Sequence, residues 1–91
     1  MLRTTIYTED TGRNVITQIL NQYFSGYTLV ECTGYWKGTT ELALMIILIH
    51  ESQDLDNVRK AIHEIKFFNE QESVMSITEE VTLFEDRGIY E

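Results

Sequence analysis

The sequence predicts an α+β domain whose elements run strand, helix, strand, strand, helix, strand. Three observations carry this: two segments with apolar residues at helical spacing, an alternating segment at the start, and an unbroken apolar run from Leu42 to Ile49 behind a glycine-bounded aromatic turn. With 91 residues the chain makes one domain, residues 1–91. A chain of this size buries roughly two thirds of its unfolded surface, which leaves a thin core.

From Leu2 to Thr8 the side chains alternate, Leu2, Thr4, Ile6 and Thr8 against Arg3, Thr5 and Tyr7, which is strand chemistry. After Glu9-Asp10-Thr11-Gly12 the period lengthens, and Val15, Ile16, Ile19, Leu20, Tyr23 and Phe24 share one face of a helix that Gly26 is expected to close in a left-handed conformation. Tyr27 to Thr33 returns to strand. Gly34 to Thr40 is expected to turn the chain, and Glu41 to His50 forms the third strand. Asp54 or Asp56 is placed to accept backbone N–H groups at the start of a second helix. That helix carries Leu55, Val58, Ile62, Ile65 and Phe68 on one face and Arg59, Lys60, His63 and Glu64 on the other. Val74, Met75 and Ile77 mark a fourth strand, and Val81 to Phe84 suggests a short extra C-terminal one.

This order, with a hairpin at its centre, is the split βαβ or ferredoxin-like sandwich: a four-stranded antiparallel sheet with two helices on one face. Both helices are amphipathic, so the second face of the sheet is left bare. The third strand is apolar on both sides, and Leu42, Leu44, Ile46 and Leu48 are taken as the set that meets another copy of the chain. Leaving such a face in water would forgo several kcal/mol, at about 25 cal/mol per Å². Self-association is therefore expected.

The segment Tyr35-Trp36-Lys37-Gly38 followed by Glu41-Leu42-Ala43-Leu44-Met45 resembles the corresponding segment of CutA-like proteins. The whole plan is similar to the trimeric PII-like and CutA-like families, whose open sheet faces pack around a three-fold axis. A second likeness is to uncharacterised small bacterial proteins with a Gly-x-Trp-basic turn and a later Gln-Glu-Ser-Val, here Gly34-Tyr35-Trp36-Lys37 and Gln71-Glu72-Ser73-Val74. The resemblance implies a homotrimer, with a dimer as the other assembly, acting as a binding or regulatory module. Two departures limit it. Cys32 lies nearer the aromatic turn than the CutA cysteine does, and the turn is short, with only seven Lys and Arg in the chain, where PII proteins use a long loop and basic clefts for nucleotide.

Tyr35, Trp36 and Lys37 suit the clamping of a planar ligand, with Gln71 and Glu72 facing them from an adjacent copy; they equally suit a subunit interface. No metal site is expected, because Cys32, His50 and His63 lack the spacing of one, and no cofactor-binding loop is present. Cys32 is read as a small buried thiol in mid-strand, without a turn to present it as a nucleophile, so no enzyme is expected. Arg13, at the start of the first helix, is read as solvated rather than anion-binding. A net charge of −8 disfavours nucleic acid and anionic membranes. It permits an alternative function, an acidic inhibitor that mimics nucleic acid through Glu79, Glu80, Glu85, Asp86 and Glu91 and occupies a basic protein. The lone cysteine and the lack of a signal segment or spanning stretch point to the cytoplasm.

Overall fold

The two inner strands of the sheet, Leu2–Glu9 and Thr39–His50, each pair with a neighbour on both sides. The computed structural model describes residues 1–84. It contains β1 (Leu2–Glu9), α1 (Arg13–Tyr23), β2 (Thr28–Trp36), β3 (Thr39–His50), a 3₁₀ turn (Ser52–Asp54), α2 (Leu55–Phe68) and β4 (Met75–Glu80). The sheet is antiparallel in the order β2-β3-β1-β4, and both helices cover one face: the ferredoxin-like sandwich.

The register decides which side of each strand is the core. Ile6 pairs with Ile46, Thr8 with Leu44 and Thr4 with Leu48, and all six are buried beneath Ile16, Ile19 and Leu20 of α1 and Val58, Ala61 and Ile65 of α2. This corrects the assignment of β3. Leu44, Ile46 and Leu48 are each 0% exposed under the helices and are unavailable to another copy, while Leu42, 75% exposed, lies on the same side beyond the helices' reach. The open face is instead formed by the alternate set, Ala43, Met45, Ile47 and Ile49, flanked by Val30 on β2 and by Met75 and Ile77 on β4. A one-residue shift of parity exchanges the two faces of a strand, and β3 is apolar on both.

Three boundaries also differ from expectation. α1 ends at Tyr23 with Phe24 extended at φ −135°, and Gly26 does not adopt a left-handed conformation. The hairpin closes on two residues, Lys37 at φ +51° and Gly38 at φ +78°, the geometry of a type I′ turn that continues the strand twist. β2 therefore runs on to Trp36. Residues 81–84 form no regular strand, although the Val81 N–H donates to the Met1 carbonyl at 3.0 Å; Glu85, Asp86 and Glu91 lie outside the described residues.

On α2, Arg59, Lys60 and His63 are exposed as expected, but Glu64 is half-buried. Its carboxylate lies beside the Tyr23 phenol of α1 and raises that phenol's pKa. Neither Asp54 nor Asp56 caps α2 with its side chain; the Asp54 carboxylate instead accepts the Glu51 N–H at 3.2 Å, closing the 3₁₀ turn that leads into the helix. Buried polar groups at the far end of the sheet satisfy one another: His50 Nδ1 donates to the Glu51 carbonyl at 2.8 Å, leaving Nε2 to accept the Thr4 hydroxyl at 2.7 Å, and Thr4 in turn accepts the Thr78 hydroxyl at 2.8 Å.

Candidate functional site

The hairpin overhangs the sheet. β1 ends opposite Ala43, so Gly34 to Trp36 and their partners Thr39 to Glu41 project past it. On the other side of the molecule, α2 is followed by its cap Asn69 and then by Glu70 at φ +53°, and the Glu70 and Gln71 N–H groups donate back to the Phe67 and Lys66 carbonyls, each at 3.2 Å. This is a Schellman stop with glutamate where glycine is usual. It directs Gln71 and Glu72 toward the hairpin tip, where Lys37 Nζ meets Glu72 Oε2 at 3.3 Å.

Between these two arms lies a groove of about 740 Å³ on the open face of the sheet. Tyr7, Ala43, Met45 and Met75 supply an apolar floor, and Trp36, Cys32 and Gly34 line the hairpin side. Glu70, Gln71, Glu72 and Ser73 form the opposite rim. The second arm is pinned in place: the Thr8 hydroxyl donates to Gln71 Oε1, and Asn69 Nδ2 donates to Thr8 Oγ1 at 3.0 Å and to the Glu9 carbonyl at 3.2 Å. Such a network rigidifies a loop that would otherwise be free to move.

The groove's electrostatics are dominated by acids. Glu9 and Glu41, diagonal neighbours on β1 and β3, point their carboxyls at one another inside it. A shared hydrogen bond with Glu9, reinforced by partial desolvation and by the charge of Glu9, raises the Glu41 pKa above the usual carboxylate range. Glu70 and Glu72 add two more carboxylates. The ammonium of Lys37, at the rim, sits 5.8 Å from the centroid of the Trp36 ring while pairing with Glu72.

Of the residues singled out from sequence, Tyr35, Trp36, Gln71 and Glu72 all line this groove, within a single chain, and Lys37 adjoins it through Glu72. The sequence does not mark Glu9, Glu41, Tyr7 or Met45 as lining residues of such a site. Their signal lay in strand parity: Tyr7 and Glu9 alternate with the core residues Ile6 and Thr8, and only pairing with β3 sets Glu41 beside Glu9. Cys32 is half-buried in the groove wall rather than in the core. Arg13 pairs with Asp10 and, at 2.9 Å, with Glu31, which raises its pKa. Among the described residues no three His, Cys, Asp or Glu side chains are arranged to hold a metal ion, and no helix is long and apolar enough to cross a membrane.

No protein-family model matches the chain, and no curated protein matches it by sequence. Solved structures do. CPII, a nitrogen regulatory PII-like protein from Thiomonas intermedia K12 whose structure holds ADP, AMP and bicarbonate, superposes with a TM-score of 0.73 at 17% identity, covering 93% of each chain. A DUF3240 family protein from Shewanella baltica OS155 superposes with a TM-score of 0.76 at 9% identity, covering 96% of each chain. At these identities the likeness establishes the fold, which is PII-like.

Proposed function

We propose that this chain is a non-enzymatic, self-associating regulatory module that binds a small ligand in the groove between the hairpin tip and the α2–β4 connection. The observation that carries the reading is the placement of that groove: it opens at one end of an unpartnered apolar sheet face, so ligand and partner copy meet on the same surface. Val30, Ile49, Met75 and Ile77 are all more than a third exposed there, and a second copy is the cover of matching chemistry. Three copies around a three-fold axis, the arrangement of the PII-like and CutA-like proteins that the sequence resembles, would bury all such faces at once, and a dimer would bury two. Regulation by ligand is supported by the fold shared with a nitrogen regulatory protein bound to adenine nucleotides. A cytoplasmic setting accords with a lone cysteine.

The test is oligomeric state. Size-exclusion chromatography with light scattering should give about three times the chain mass, and Ile47→Asp, which sets a charge in the middle of the open face, should yield a folded monomer with unchanged circular dichroism. A wild-type monomer at tens of micromolar would refute the assembly.

A further inference from the structure

We propose that the groove takes an organic cation, an alkylammonium or guanidinium compound with an apolar body, and this rests on the reading of the groove as the ligand site. Four carboxylates, Glu9, Glu41, Glu70 and Glu72, line it, and Lys37, the one ammonium at its rim among the described residues, is already engaged by Glu72. A phosphate entering this space would meet like charge on both walls, and the described residues offer it no cation that is not already paired with a carboxylate. The apolar floor speaks against a bare metal ion, which needs converging donors that the described residues do not assemble. What remains is a ligand positive at one or both ends and apolar between, in a cavity of ordinary ligand size.

The chain shows how such a group is held. The Lys37 ammonium lies against the Trp36 ring, 5.8 Å from its centroid, and 3.3 Å from a Glu72 oxygen. Aromatic face plus carboxylate is the pairing that recognises ammonium ligands, and the same two kinds of group recur deeper in the groove as Tyr7 with Glu9 and Glu41. Lys37 thus acts as a resident competitor at the mouth. A cationic ligand would displace it from Glu72, and an anionic one would recruit it.

Trp36 is the only tryptophan in the chain, so its fluorescence reports on the groove directly. Full-length protein is titrated with spermidine, with tetramethylammonium and with ADP at constant ionic strength. Spermidine should give a saturable change that survives 150 mM NaCl, tetramethylammonium a weaker one and ADP none. Glu41→Gln should weaken spermidine by roughly tenfold, the usual cost of one charge-assisted contact, and Lys37→Asn, which keeps a residue tolerant of the turn, should tighten it. Saturation by ADP with weakening in Lys37→Asn would overturn the cation assignment while leaving the groove as a ligand site. Failure of all three probes to saturate, or an equal response to NaCl alone, would overturn both.

Discussion

Ile46 and Ile47 are the same residue one position apart on the same strand, yet they inhabit different environments. Ile46 is fully buried between Ile6 and the helices; Ile47, paired with Thr5 and Thr28, looks out from the open sheet. The comparison separates what the isolated chain needs in order to fold from what it presents to others. The covered face is closed by aliphatic packing and by a fully satisfied polar relay at His50. The open face ends in a groove whose carboxyls repel one another when both are charged, an arrangement that then works against folding and is the kind of local conflict found at functional sites.

The largest effect expected lies in that pair of isoleucines. Ile46→Ala should lower unfolding free energy by about 2–5 kcal/mol, the transfer loss plus the cavity left behind. Ile47→Ala should cost less than about 1 kcal/mol in dilute protein, because its side chain is only half removed from water. Urea denaturation followed by circular dichroism measures both. Repeating the experiment at high protein concentration sharpens the contrast: association would make the Ile47→Ala cost grow with concentration while that of Ile46→Ala at fixed assembly stays the same. Equal costs at low concentration would mean that the two faces are not different.

A smaller loss is expected from the polar part of the covered face. Thr4→Val preserves shape but removes the hydroxyl that donates to His50 Nε2 and accepts from Thr78, leaving a buried ring nitrogen unpaired. The penalty for such an orphan is about 1–3 kcal/mol. Thr78→Val, at an exposed position on β4, should cost less, since His50 keeps its partner. A reversal of that order would show that the relay is not what holds His50.

How far the sequence reveals this division can be read from particular residues. Helical spacing marks Ile16, Ile19, Leu20, Val58 and Ile65 without ambiguity, and the strand order follows from the placing of helices and turn. β3 defeats periodicity, because Leu42 to Ile49 is apolar at every position and carries no parity of its own. The parity resides in β1, where Arg3 marks the open side by its ion pair with Glu79 and stands opposite Ile49. Reading it requires the pairing register, a long-range fact. The hairpin was legible as a turn but not as a two-residue one, since Lys37 is not a residue that advertises positive φ. The same holds for Glu70, where glutamate in place of glycine conceals the stop that aims Gln71 and Glu72 at the groove. Its aromatic and polar arms could be named from sequence; the acids on its floor needed the register.

The subtlest expected difference between the two faces is in their response to pH. Glu41's pKa is raised in the folded protein by Glu9, so just above the ordinary glutamate range the folded state retains a proton that the unfolded chain has released. Stability from this group is therefore full below the unfolded pKa and is lost as pH rises through the folded one. The thermal midpoint of the wild type should drift downward across that window, and Glu41→Gln, which keeps a hydrogen bond to Glu9 and removes the repulsion, should flatten the drift. Glu80→Gln, at the opposite end of the sheet, controls for the loss of one negative charge. If wild type and Glu41→Gln follow parallel curves, the paired carboxyls are not coupled in solution, and the groove end of the open face loses the electrostatic character that distinguishes it from the rest of the sheet.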